Sequence, residues 1–152
     1  MLDGDDTYWI EGRPEESGRS VVVKRSPDGR IADVTPAGAN VRTRVHEYGG
    51  AAYAVCRGVV YYSEFADQRL YRLEPGGTPE PLTAPGDWFY ADCSIDVSRQ
   101  RLVCVREDHT GKGPEAVTTL VSVPLVGPPA VGQVIVSGHD RREPSGLKRG
   151  VE

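Results

Sequence analysis

Three histidines stand beside carboxylates in the chain: His46 next to Glu47, His109 next to Asp108, and His139 next to Asp140. An imidazole with an adjacent carboxylate can serve as a general base or as a metal ligand. The three are 63 and 30 residues apart, and no His-Glu-x-x-His or comparable spacing joins them. Each falls where the chain reads as a loop or strand end, and His-carboxylate pairs at such places cap turns. The reading for all three is structural, with no catalytic residue, metal or cofactor implied. Thr110-Gly111-Lys112-Gly113 has the composition of a phosphate loop, but Arg106 occupies the place where the leading glycine is required, which excludes it.

A second constellation is tighter. Arg42, Arg44 and His46 alternate, so an extended backbone puts two fixed positive charges and one titratable group on a single face. Val41, Thr43 and Val45 take the other face. Glu47 and Tyr48 follow, and Gly49-Gly50 lets the backbone turn sharply into Ala51-Ala52-Tyr53-Ala54. Two roles fit this face. The arginines could bind substrate carboxyl or carbonyl groups, or a partner domain. Alternatively, they could pair with Glu47, Glu64 or Asp67 and pin neighbouring structural units together. The second role is the expected one.

The elements that must position these residues follow from composition. The 152 residues include 18 Gly and 12 Pro, close to one in five, against roughly 12% in an average chain. Val occurs 20 times and Leu 8 times, an order that favours strands. Helical bundles, coiled coils and collagen-like chains are excluded. With 18 basic against 22 acidic residues the net charge is −4, so there is no basic surplus to meet a phosphate backbone and nucleic acid is not an expected partner. The longest apolar run, Ala51 to Cys56, falls far short of the ~20 residues of a membrane span. The start is acidic and unlike a signal peptide, so the expected location is cytoplasmic. Cys56, Cys93 and Cys104 form no CxxC pair. A tight turn at Ser98-Arg99 could bring Cys93 to Cys104, but reduced, buried thiols are the expectation for a reducing compartment.

Eleven short β-rich runs lie between Thr7 and Ser137, separated by turn residues such as Ser26-Pro27-Asp28-Gly29 and Pro75-Gly76-Gly77. An internal repeat runs through them. Leu70-Tyr71-Arg72-Leu73 recurs as Leu120-Val121-Ser122-Val123 at a shift of 50, and matches Val21-Val22-Val23-Lys24 at a shift of 49. Each copy is followed by a strand closing in a small hydroxylated residue: Val34-Thr35, Leu82-Thr83 and Val136-Ser137. Four strands per unit at this period are the mark of a β-propeller blade. Many strands are apolar on both faces, as a blade sandwiched between neighbours requires. The expected fold is all-β, a partial β-propeller over residues 1–140. It has blade pieces at 7–35, 51–84 and 90–137, of which the last two are complete and the first lacks a strand. Residues 141–152 read as a polar tail, disordered or a truncation end. A ring needs at least four blades, so the chain reads as a piece of something larger.

Asn40-Val41-Arg42-Thr43-Arg44-Val45-His46-Glu47-Tyr48-Gly49-Gly50 resembles a signature of the prolyl oligopeptidase family of serine peptidases, in its dipeptidyl and acylaminoacyl peptidase-like branch. Supporting stretches occur in matching order. They are Tyr8-Trp9-Ile10-Glu11-Gly12-Arg13-Pro14, Phe65 to Leu73, Val105-Arg106-Glu107-Asp108-His109 and Val136-Ser137-Gly138-His139-Asp140. The resemblance extends from about Leu2 to Asp140. It implies an N-terminal propeller followed by an α/β-hydrolase domain, with the nucleophile on a Gly-x-Ser-x-Gly elbow. That motif does not occur in this chain. The resemblance therefore implies a non-catalytic propeller segment, inactive alone. Its partners would be the α/β-hydrolase domain of the same parent polypeptide and short peptides, which it would gate and position. Arg42, Arg44, His46, Glu47 and Tyr48 are the candidates for substrate-binding or interdomain contact. The other reading is a stand-alone β-repeat interaction module that oligomerises to complete its ring.

Overall fold

The computed structural model describes residues 1–47 and 49–137. Three four-stranded antiparallel sheets follow one another along the chain. The first holds β1 (Leu2–Asp3), β2 (Asp6–Arg13), β3 (Arg19–Arg25) and β4 (Ile31–Asp33). The second holds β5 (Tyr53–Cys56), β6 (Val59–Ser63), β7 (Leu70–Leu73) and β8 (Glu80–Pro81). The third holds β9 (Trp88–Asp96), β10 (Arg101–Asp108), β11 (Val117–Pro124) and β12 (Gln133–Ser137). In each sheet the strands pair in sequence order, the up-and-down meander of a propeller blade. The chain is a partial β-propeller of three blades. Its two 3-10 turns, Pro14–Glu16 and Val97–Arg99, are three residues each.

All eleven expected strands form. The first sheet, however, has four strands rather than three, because Leu2 and Asp3 pair with Thr7 and Asp6 across a turn at Gly4. A two-residue strand is too short to show any apolar alternation. Its carboxylate has a further use: Asp3 accepts hydrogen bonds from the Arg57 and Gly58 backbone N–H groups, at 2.9 and 2.6 Å. The first blade is thereby tied to the β5–β6 turn of the second.

The repeat is real, with its register shifted by one residue in two places. The Val22 N–H donates to Thr35 Oγ1 at 3.1 Å, and the Leu70 N–H donates to Thr83 Oγ1 at 2.9 Å. The Val34 N–H to Val22 carbonyl bond recurs as Leu82 N–H to Leu70 carbonyl, both at 2.8 Å. Leu70 therefore corresponds to Val22, a shift of 48 rather than 49. In the third blade Val121 is buried while Leu120 is 39% exposed, so Val121 takes the inner place. The sequence match could not see this, since Val, Leu and Ile are interchangeable in such a comparison.

Stacking of the sheets makes two cores. Tyr8 and Val22 of the first blade pack with Val60, Tyr62 and Leu73 of the second. Tyr61 and Leu70 of the second pack with Tyr90, Leu102, Cys104 and Val121 of the third. Alternation along β6 sends Val60 and Tyr62 one way and Tyr61 the other, which is why that strand is apolar on both faces. Burial holds the Tyr90 hydroxyl up at about 12, and that hydroxyl donates to the Val131 carbonyl at 2.8 Å.

Cys93 and Cys104 form a disulfide, with 4.1 Å between their Cα atoms. The expectation of reduced thiols is corrected for this pair, and Cys56 is the free cysteine. A β-bulge explains the approach: pairing of β9 with β10 shifts between Val103 and Val105, and Asp92 adopts a left-handed φ of 53°. The hairpin between the two cysteines closes at Val97–Arg99, where Asp96 caps the Arg99 N–H. Hydrogen bonds from Ser98, Arg101 and Arg99 hold the Asp96 carboxyl down to about 2.

Thr83 is fully buried and its hydroxyl oxygen is the acceptor for the Leu70 N–H. Thr83→Val leaves that donor unpaired in the core, an expected loss of about 1–3 kcal/mol. Urea denaturation of the variant checks this, with Thr83→Ser expected to recover most of the loss.

Candidate functional site

The candidate face is built by the segment between the first and second blades. Its alternation is as expected: Val41, Thr43 and Val45 are buried, while Arg42, Arg44, His46 and Glu47 are exposed. Tyr48 lies outside the described residues, as do His139, Asp140 and the tail 141–152. The backbone of the segment is fixed by bonds to all three blades. The Val41 N–H donates to the Ser20 carbonyl at 2.8 Å, and the Arg42 N–H to the Ser63 carbonyl at 3.1 Å. The Arg44 N–H donates to Gln68 Oε1 and the His46 N–H to Glu107 Oε1, both at 2.8 Å. Thr43 turns inward and donates its hydroxyl to the Tyr90 carbonyl at 2.8 Å.

His46 and Glu47 both have φ of 58°, a left-handed turn that swings the chain back toward the second sheet. The Gly49 N–H closes this turn on the Val45 carbonyl at 3.0 Å. Gly50 is required by close approach, because a Cβ there would meet Asp92 Oδ2 at 2.8 Å and the Ala91 Cβ at 2.9 Å. Ala51 and Asp92 then exchange two bonds: Asp92 N–H to the Ala51 carbonyl at 2.9 Å, and Ala51 N–H to Asp92 Oδ1 at 2.7 Å. The bulge in β9 thus aims Asp92 at the neighbouring blade.

The arginines depart from the expected ion pairs. Among the described residues neither pairs with Glu47, Glu64 or Asp67. Both lie against the Phe65 ring instead, with guanidinium carbons 5.1 Å (Arg42) and 4.5 Å (Arg44) from its centroid. The carboxylates are engaged elsewhere. Glu64 accepts from the Asn40 and Ala66 N–H groups, and burial pushes its carboxyl up against those bonds. Asp67 accepts from the Tyr71 hydroxyl at 2.7 Å.

His46 and His109 have another partner than their neighbours in sequence. His46 and His109 are not isolated turn caps with separate partners; they meet on Glu107. Its Oε1 lies 3.4 Å from His46 Nδ1 and its Oε2 lies 3.2 Å from His109 Nε2. Glu107 is 8% exposed, a carboxylate buried by the loop it holds. The His109 ring also packs on Phe89, with 4.3 Å between centroids. Sequence reasoning passed over Glu107 for the adjacent Asp108, although alternation in a strand puts Glu107 and His109 on one side and Asp108 on the other. Asp108 accepts instead from the Thr110 N–H at 2.9 Å. Among the described residues no group of three His, Cys, Asp or Glu side chains is arranged to hold a metal ion.

A cleft of about 520 Å³ opens here, lined by Arg44, Glu47, Phe89, Glu107, His109 and Glu115 among others. It combines fixed charges of both signs with one aromatic wall. A larger cleft, of about 750 Å³, lies between the hairpin turns of the first two blades, far from the arginines. Arg44 and Glu47 of the candidate face line the smaller cleft and not this one, where Lys24 pairs with Asp6 at 3.3 Å and Asp3 takes the Arg57 and Gly58 N–H groups. The smaller cleft is therefore the candidate site.

Fold and site together define a run of propeller blades with a charged face at one end and no catalytic constellation among the described residues. The chain is similar to a puromycin hydrolase, with 37% identity and a TM-score of 0.74 over 82% of this chain and 21% of that one. It is also similar to a puromycin-hydrolyzing peptidase of Mycobacterium tuberculosis, with 35% identity and a TM-score of 0.80 over 91% of this chain and 24% of that one. The chain thus spans less than a quarter of the length of either. No family model and no curated protein matches it.

Glu107→Ala removes the acceptor for the His46 N–H and the partner of both imidazoles. A loss of about 1–3 kcal/mol is expected, read as a lowered midpoint in thermal denaturation. Glu107→Gln, which keeps an acceptor oxygen, is expected to lose less.

Proposed function

We propose that this chain is a non-catalytic propeller segment of a serine peptidase resembling the prolyl oligopeptidases, in the dipeptidyl and acylaminoacyl peptidase-like branch. In that reading it gates access and positions short peptides for an α/β-hydrolase domain of the same parent polypeptide, raising specificity without performing chemistry. The observation that carries it is the match of 82–91% of this chain, at 35–37% identity, to less than a quarter of a puromycin hydrolase and of a puromycin-hydrolyzing peptidase. A second observation agrees. The third blade leaves Leu120 39% and Val136 54% exposed, and the two are paired neighbours on β11 and β12. A further blade would cover that face.

The same open face also favours the second reading, a β-repeat module that closes its ring by oligomerising, since a second copy stacked on it would bury that apolar surface. Light scattering after size exclusion separates the two: a discrete closed oligomer belongs to the module and not to a segment of a longer chain. A cytoplasmic location carries one condition. The Cys93–Cys104 bridge would have to persist against a reducing pool, which is uncommon.

A fluorophosphonate serine-hydrolase probe is expected to leave the 152-residue chain unlabelled, with labelling in the longer polypeptide at a serine outside it. Covalent labelling of any serine within residues 1–152 would overturn the proposal.

A further inference from the structure

We propose that Arg42 and Arg44, held together on the Phe65 ring, form a binding site for the free carboxylate of a short peptide. The inference goes beyond the segment's place in a peptidase and stands or falls on this chain alone.

Two guanidinium groups against one ring repel each other, and an anion beside them relieves that repulsion. The ring face attracts each cation, but the cations repel each other, and no carboxylate lies within 4 Å of either among the described residues. The rest of the local structure holds this pair in place. Phe65 is clamped at both backbone ends: its N–H donates to the Asn40 carbonyl and its carbonyl accepts from Gln68 Nε2, each at 2.9 Å. Gln68 is buried, and its Oε1 takes the Arg44 N–H at 2.8 Å. One buried amide therefore bonds both the backbone of Phe65 and that of the segment that carries the arginines. A ring and a backbone fixed in advance lower the entropic cost of binding, and guanidinium matches a carboxylate two bonds at a time.

The surroundings select the class of anion. Glu47, Glu107 and Glu115 line the cleft that Arg44 borders, and they oppose a phosphate or any polyanion. A peptide with a single free carboxylate and an ammonium group meets positive charge at Phe65 and negative charge in the cleft. Its carboxylate is the part the arginines recognise.

The test is an NMR titration of the 152-residue chain, following the Arg42 and Arg44 side-chain N–H signals and the Phe65 amide. The probes are Gly-Gly-Phe, its C-terminal amide, acetate and inorganic phosphate. The acid is expected to bind about tenfold more tightly than the amide, the factor that one charge-assisted hydrogen bond supplies. Arg42→Gln and Arg44→Gln, both at exposed positions, are expected to lose a similar factor while keeping the wild-type melting temperature. Equal affinity for acid and amide, or variants that bind as well as wild type, would overturn the site. Acetate as tight as the tripeptide acid would keep a carboxylate site but overturn the peptide as its source, in favour of a side chain from elsewhere in a longer polypeptide. Phosphate as tight as the acid would overturn the carboxylate assignment.

Discussion

The Tyr90 carbonyl accepts two buried hydroxyls, Thr43 Oγ1 and Ser63 Oγ, each at 2.8 Å. Thr43 belongs to the segment between blades, Ser63 ends the second strand of the middle blade, and Tyr90 lies on the first strand of the third. A blade stack needs apolar area for cohesion, but apolar contact is non-directional and leaves neighbouring sheets free to slide. The two hydroxyls remove that freedom, because buried donors and acceptors cannot be left unpaired without a cost of about 1–3 kcal/mol each. The Ala51–Asp92 exchange and the Glu107–His46 bond act at the same end of the stack. The middle and third blades are fixed relative to each other there, and the candidate face inherits its geometry from that junction.

The charged face depends on this in a specific way. Arg44 is placed by Gln68 of the middle blade and His46 by Glu107 of the third. Two residues apart in sequence, they report to different sheets. A relative movement of the blades would change the separation of the Phe65 platform from the Glu107 cleft, so rigidity at Tyr90 and chemistry at the face are one problem. The face needs no catalytic group to matter to a peptidase, since orientation of substrate relative to a reacting group elsewhere is itself a large part of catalysis.

Much of the fold was legible because its signals are local. Turn dipeptides marked the hairpins, β-branched runs marked the strands, and the i, i+2 alternation of Val41, Thr43 and Val45 put Arg42 and Arg44 outside. What was not legible depends on contact between distant residues. Phe65 enters the sequence reading only as the start of a stretch that carries the family resemblance, and nothing local marks it as the ring that meets two arginines. Glu107 and His46 are 61 residues apart, beyond any spacing rule. The one-residue error in the repeat comes from Val21, Val22 and Val23 being alike in sequence, and the bonds of Val22 to Val34 and Thr35 settle which of them pairs. The disulfide is not legible in cysteine spacing because it depends on the bulge at Asp92, which brings the two sulfurs together.

The central claim is that these three blades are a stretch of a longer stack, with the middle blade covered on both faces and the third on one. Amide hydrogen exchange of the 152-residue chain reads coverage directly, since protection follows local stability. The account predicts slowest exchange in β6, β7 and β10, with markedly faster exchange in β12. Protection of β12 equal to that of β6 would contradict it, because the outer face of the third blade would then already be covered.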